Sequence, residues 1–215
     1  MKKDPTHYHR NLPHFQPKDG VFNLCFRLAG SLPKPVIEEL RERHLQKKEE
    51  LKKTIFDEDE LAFALREERD LYFGKFDALL DDPTSGPTFL AIPEVAEIVA
   101  EAILHRHENS QYKLVQYTIM SNHVHMICYK IQRPLFRIMQ SLKSYSATQA
   151  NIFLDRVGKT FWHNETYDNL IHSRGELGRK IRYNLNNPVK PGLCQNWKDW
   201  PFSFLNPEFE KYAPR

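Results

Sequence analysis

The succession of runs along this chain predicts an α+β fold: a ferredoxin-like β-α-β-β-α-β antiparallel sheet with an appended C-terminal helix and a helical insertion. Three observations carry that expectation. Large apolar residues alternate between Gly20 and Gly30, the period-two pattern of a half-buried strand. Residues 92–106 place Val95, Ile98, Val99, Ala102 and Ile103 at helical spacing. Two β-rich runs, YKLVQYTIM from 112 to 120 and HVHMICYKI from 123 to 131, are separated by the turn-formers Ser121 and Asn122, which reads as a hairpin.

The remaining elements follow in order. A Pro-rich lead-in with Pro5, Pro13 and Pro17 reads as an extended arm before the first strand. From Val36 to Arg69 the chain is dense in Glu, Lys, Arg and Leu and lacks Gly and Pro, which reads as helix with a break near Thr54 to Asp57. LDDPTSGPTFL, 80–90, is a loop on its Pro and Gly content, and the Pro-Glu start at 93 opens the next helix. After the hairpin, Pro134 opens a helix through about Leu154, with Leu135, Met139 and Leu142 on one stripe. FWHNETYDNLI, 161–171, is the next strand candidate, and 173–187 a final helix whose Ser173 and Glu176 match a capping box. At 215 residues this describes one domain, 1–215, with the helical insertion at about 34–90.

Composition narrows the class. Forty per cent hydrophobic residues, with 14 Phe, 9 Tyr and 3 Trp, is enough for a packed core and argues against disorder. No run of 18 apolar residues and no apolar stretch after the N-terminal lysines suggests a membrane span or signal peptide, so the expected setting is cytoplasmic. Cys25, Cys128 and Cys194 are odd in number and far apart, which fits buried thiols better than disulfides. From Lys130 to Lys190 there are eleven Lys and Arg against four acidic residues, so this window carries +7 while the rest of a +3 chain is negative. That asymmetry suggests a phosphate-rich partner.

Chemistry gathers at MSNHVHMI, 120–127. His123 and His125 lie two apart on a strand, so they face the same way with Cα atoms about 6.6 Å apart, a workable span for two ligands of one divalent ion. A His-x-His pair alone is more often incidental than a ligand pair, and buried imidazole needs a partner. On the last helix Tyr183 and Asn187 are four apart and share a face, although Asn187 precedes Pro188 and sits at the helix end. Taken alone, Tyr183 reads as a packed aromatic. Tyr145 is a rival nucleophile with Gln149 four residues on. His163 reads as a surface or DNA-facing residue, Asp168 as a hydrogen-bond acceptor, and His7, His9 and His14 as part of a basic arm.

These residues carry a resemblance. His123-Val124-His125 resembles the histidine-hydrophobic-histidine motif of HUH single-tyrosine endonucleases, and YNLNNPVKPGL, 183–193, resembles the Tyr-x-x-x-Asn-Pro-Val segment of their transposase branch. MSNHVHMI is similar to that branch's Met-Pro-Asn-His-Val-His, FWHNETYDNLI to its Trp-x-x-x-x-Tyr-Asp segment, and WKDWPFSF, 197–204, to its Trp-Pro tail. The nearest branch is that of the REP-associated tyrosine transposases, whose fold is the same ferredoxin-like sheet. Ser121 stands where proline is usual, and the 36–90 insertion is longer and more acidic than a minimal transposase needs.

The resemblance implies a metal-dependent endonuclease and strand transferase acting on single-stranded DNA near hairpins, through a 5′-phosphotyrosine intermediate. By carry-over Tyr183 is the nucleophile, His123 and His125 are metal ligands, and Asn187 is the third ligand. Two imidazoles and an amide are neutral and leave the metal's charge available to phosphate; Mg²⁺ is expected, with Mn²⁺ substituting. A closed zinc site is disfavoured because no cysteine lies at ligand spacing. Arg174, Arg179, Lys180 and Arg182 flank Tyr183 as phosphate partners, with Lys143 and Lys159 as additions. Trp162 and Tyr167 either stack on unpaired bases or pack in the core. The expected partner is single-stranded DNA with hairpin structure, met by a monomer or homodimer in a bacterial cytoplasm, associated with the nucleoid when bound. The competing expectations are a DNA-binding regulator that keeps the fold without transposition, and a structural zinc protein.

Overall fold

The computed structural model describes His7–His9 and Pro13–Phe15 as backbone, Pro17, and residues 19–81 and 86–214. The chain forms two compact units, Met1–Ala29 with Thr88–Arg215, and Gly30–Pro87.

In the first unit two short strands, β1 (His7–His9) and β2 (Pro13–Phe15), pair antiparallel, so the lead-in folds back on itself within its extended conformation. The side chains of His7, His9 and His14 lie outside the described residues. The main sheet is built from β3 (Val21–Arg27), β4 (Lys113–Ile119), β5 (His123–Tyr129), β6 (Tyr167–Ile171) and β7 (Ser203–Leu205), in the order β6-β3-β5-β4-β7, with every pairing antiparallel. Setting aside β7, this is the strand order of the ferredoxin-like β-α-β-β-α-β unit: α3 (Pro93–Glu108) connects β3 to β4, and α4 (Leu135–Phe153) connects β5 to β6. The β4–β5 connection is the expected hairpin, closed by Met120 N–H donating to His123 O at 2.9 Å.

The pleat sorts each strand into two faces. Phe22, Leu24 and Phe26 of β3, Leu28 just beyond it, and Val124, Met126 and Cys128 of β5 point to the face covered by α3 and α4, forming the larger core. Full burial of a side chain such as Leu24, Met126 or Ile138 stabilises by about 1.5–3 kcal/mol. On the opposite face Ile127, Val115 and Ile171 pack against Leu177, Ile181 and Leu185 of α5 (Arg174–Leu185). A bulge at Leu114/Gln116 in β4 shifts the register there. The α5 face is therefore apolar toward one end and polar toward the other, where Asn23, Gln116, Thr118, His123 and His125 are all buried.

Two expectations are corrected in detail, and one element is added. FWHNETYDNLI is a strand only over Tyr167–Ile171; Trp162 makes an isolated bridge to Leu28, and the Asn164 and Glu165 carbonyls accept from Lys143 Nζ at 3.1 Å instead of joining the ladder. Of the 80–90 loop, Leu80 and Asp81 still belong to a helix, Phe89–Ala91 form a single 3₁₀ turn, and 82–85 lie outside the described residues. The Trp-Pro tail adds an edge strand, β7, that periodicity over three residues could not reveal.

The second unit, Gly30–Pro87, holds two helices, α1 (Lys34–Thr54) and α2 (Glu58–Asp81), with the break at Ile55 to Asp57 inside the anticipated interval. Asp57 Oδ1 accepts from Glu60 N–H at 2.8 Å and so restarts the helix. His44 of α1 ties the pair together, meeting Glu68 Oε1 at 3.0 Å and stacking on Tyr72 with ring centroids 4.4 Å apart.

Candidate functional site

The polar end of the α5 face is assembled from distant parts of the chain. His123 and His125 come from β5, both fully buried, and their rings meet edge to face with Nε2 to Nε2 at 3.0 Å. Two nitrogen lone pairs facing at that distance repel, so a proton or a cation must lie between them. The tautomer of His123 is set by its neighbour: Nδ1–H donates to Asn122 Oδ1 at 2.7 Å, which leaves Nε2 as the acceptor or ligand atom. Two ligand nitrogens about 2.1 Å from one ion and at right angles to each other are about 3.0 Å apart, so the pair fits a shared divalent cation.

Helix α5 brings the other components. Ser173 caps it, its Oγ accepting from Glu176 N–H at 3.1 Å, while Glu176 Oε2 accepts from His172 N–H at 2.9 Å; this is the anticipated box, with the return bond taken one residue earlier than the cap. Half-buried Tyr183 lies perpendicular to the His125 ring with centroids 6.4 Å apart. The next residue, Asn184, is fully buried and donates from Nδ2 to Asn23 Oδ1 of β3 at 2.9 Å. Asn187, also fully buried, accepts at Oδ1 from Lys190 Nζ at 2.8 Å. An amide oxygen has two lone pairs, so that bond leaves one for a metal. Lys190 Nζ also lies 3.5 Å from the centre of the Tyr183 ring.

Sequence reasoning missed four of these neighbours. Asn122 reads as a turn residue and Lys190 as one charge of the basic window, and the motifs that contain them assign neither a role. Asn23 and Cys25 lie about a hundred residues from the histidines, and no local spacing connects them. Cys25 is the direct cross-strand partner of His125, with Sγ and a ring nitrogen within 4.8 Å, so a thiol does stand beside the pair despite its sequence distance. It is buried, as is Cys128, and neither of these nor half-buried Cys194 forms a disulfide.

The anticipated DNA contacts divide by face. Arg174, Arg179 and Arg182 are exposed on α5 and Lys180 is half-buried there. Lys143 and Lys159 belong to the opposite side of the sheet, where they line a cleft of about 600 Å³ with Phe136, Gln140, Trp162 and Asp168. Trp162 is a core residue: it is 5% exposed, meets Phe26 and Phe161 edge-on, and donates Nε1–H to Ser146 Oγ at 3.0 Å. Tyr167 is half-buried. His163 lines the same cleft, and burial, followed by the positive charges of Arg27 and Lys143, lowers its pKa to about 4. Tyr145 is 51% exposed on α4, away from the histidine face.

Residues 89–171 match the family model described as "Transposase IS200 like". No curated protein matches the chain. A solved structure described as the REP associates tyrosine transposase bound to a REP hairpin shares the fold with a TM-score of 0.51 at 14% identity, covering 91% of this chain and 80% of that one. No helix among the described residues is long and apolar enough to cross a membrane. In sequence over 89–171, and in fold over most of its length, the chain resembles the tyrosine transposases.

Proposed function

We propose that this protein is a transposase that nicks and rejoins single-stranded, hairpin-associated DNA through Tyr183. The observation that carries the reading is the Tyr183 ring, 6.4 Å from and perpendicular to that of His125, whose Nε2 lies 3.0 Å from that of His123. A packed aromatic alone needs no such imidazole pair, and a pure DNA-binding regulator needs neither.

The chemistry follows from what each side chain can do. Tyr183 Oη attacks a backbone phosphorus, its proton passing to solvent, and the bond from phosphorus to the 3′ oxygen breaks. The products are a free 3′-hydroxyl and a 5′-phosphate esterified to Tyr183. Attack by another 3′-hydroxyl reverses the step and releases the tyrosine, so the bond energy is conserved without a nucleotide cofactor. A phenol, pKa about 10 in water, is a weak nucleophile at neutral pH. His123 and His125 would hold a divalent ion, Mg²⁺ in the cell with Mn²⁺ substituting, with Asn187 as third ligand; when bound, it would polarise the phosphate oxygens and stabilise the departing charge. Asn122 holds the His123 ring in the tautomer that metal binding requires. Arg174, Arg179, Lys180 and Arg182 would bind flanking phosphates from α5, with Lys143 and Lys159 contributing from the opposite side. The hairpin preference and a bacterial cytoplasmic setting belong to this reading.

The test is incubation with an end-labelled single-stranded hairpin oligonucleotide and Mg²⁺ or Mn²⁺, followed by denaturing electrophoresis. The expected result is a covalent protein–DNA adduct that Tyr183→Phe abolishes, that His123→Ala reduces by a factor of 100 or more on the order of a lost catalytic group, and that chelation removes. An adduct that persists in Tyr183→Phe, or that Tyr145→Phe abolishes instead, overturns the assignment. Tight DNA binding with no adduct under any metal identifies the regulator.

A further inference from the structure

We infer that Lys190 is a working member of this site, the residue that binds the phosphate attacked by Tyr183; this rests on the function proposed above. The position is set by backbone geometry. Past the end of α5 the chain keeps turning: Val189 and Lys190 N–H both donate to Asn186 O at 3.0 Å. Leu193 N–H returns to Pro188 O and Gly192 N–H to Val189 O at 3.0 Å, and Gly192 takes φ +75° to close the turn. The helical stripe is thereby prolonged, so residues at i, i+4 and i+7, which are Tyr183, Asn187 and Lys190, fall on one side.

On that side the ammonium is held from two directions. Nζ lies 3.5 Å from the centre of the Tyr183 ring and donates to Asn187 Oδ1 at 2.8 Å. A cation over the ring face is attracted by the π cloud, a contact made with the ring rather than with the phenolic oxygen at its edge. Residue Lys190 is itself exposed, so its charge faces the solvent from which DNA arrives. A phosphate brought to the Tyr183 oxygen comes within reach of this ammonium, and attack concentrates negative charge on the phosphate's non-bridging oxygens. Lysine serves there as a compact point charge on a flexible stem, able to follow the phosphate as the bond to Tyr183 forms.

A purely structural Lys190, capping Asn187 and nothing more, makes different predictions. The probe is the same hairpin oligonucleotide with Mn²⁺, comparing wild type, Lys190→Met and Lys190→Arg, with circular dichroism confirming that the exposed substitutions leave the fold intact. On our assignment Lys190→Met lowers the adduct-forming rate at saturating DNA about tenfold or more, and flattens the slope of log binding constant against log salt by about 0.7, one single-strand phosphate contact. Lys190→Arg restores most of both. Wild-type rate and slope in Lys190→Met overturn the assignment. A wild type that forms no Tyr183-dependent adduct instead overturns the proposed function, and the salt slope alone then decides whether Lys190 touches phosphate.

Discussion

At the scale of single residues, the two faces of the sheet use histidine in opposite ways. His123 and His125 are buried against each other, with the His123 ring oriented by Asn122, which suits a shared cation. His163 is partly buried beside Arg27 and Lys143, which suits a neutral ring, and its pKa falls to about 4. The unfolded chain binds that proton near pH 6.5 and the folded chain only near 4. Stability contributed by the neutral ring is therefore complete above about pH 6.5 and is lost as the pH drops toward 4. Because the ring is only about half covered, solvent screening leaves an effect on the order of 1 kcal/mol. Urea unfolding of wild type and His163→Gln at pH 7 and pH 4.5 should show the smaller decline in the variant; equal declines would remove His163 as the cause. The sequence marked His163 as a surface or DNA-facing residue, since the Arg27 and Lys143 charges come from a strand and a helix far away in the chain.

At the scale of elements, what matters is how α5 is fixed on the sheet. Its apolar stripe, Leu177, Ile181 and Leu185, would tolerate some rotation, but the buried bond from Asn184 Nδ2 to Asn23 Oδ1 would not. Among the described residues the other amide atoms, Asn23 Nδ2 and Asn184 Oδ1, have no partner, so the polar compensation of this amide pair runs through that one bond. Asn184→Ala should cost about 1–3 kcal/mol by stranding the Asn23 amide, whereas the double variant Asn23→Val with Asn184→Leu should be nearly neutral in urea unfolding. The same double variant should slow adduct formation at Tyr183, one residue away, because an apolar seam no longer specifies rotation. Stability falling equally in single and double variants would mean that side-chain volume, not the amide pair, is at stake. Tail residues 207–212 also bear on α5: a Cβ added at Gly178 would meet Tyr212 Cδ1 at 2.9 Å, so only glycine lets the tail lie this close. The helix, its cap and its stripe were legible beforehand because they are local; the polar pair and the seated tail were not, because each joins residues far apart in sequence.

At the scale of the whole molecule, the two cores are composed entirely of residues from the first unit. A Cβ added at Gly86 would sit 2.5 Å from Gly30 O, so the chain leaves and returns at nearly one point around the helical pair. Excising 30–87 and joining Ala29 to Thr88 through a short Gly-Ser linker should leave the sheet unit folded, with cooperative thermal unfolding and the near-ultraviolet dichroism of Trp162 retained. Loss of cooperative unfolding would show that the sheet unit depends on the helical pair. The adduct assay on the same deletion would then report what the helical unit contributes to the proposed reaction.

Taken alone, the sequence determined the class of the fold and the order of its elements, because strand alternation, helical stripes, caps and turn residues act over a few neighbours. It also marked His123, His125, Tyr183 and Asn187 through short motifs, although His-x-His by itself was ambiguous. Only the tertiary structure decided which residues share the α5 face. Strand order brings Cys25 opposite His125, β3 supplies Asn23 to Asn184, and the turn beyond α5 folds Lys190 onto the Tyr183 ring. Those contacts depend on long-range pairing and the faces it selects, and no local periodicity encodes which distant strand will lie alongside.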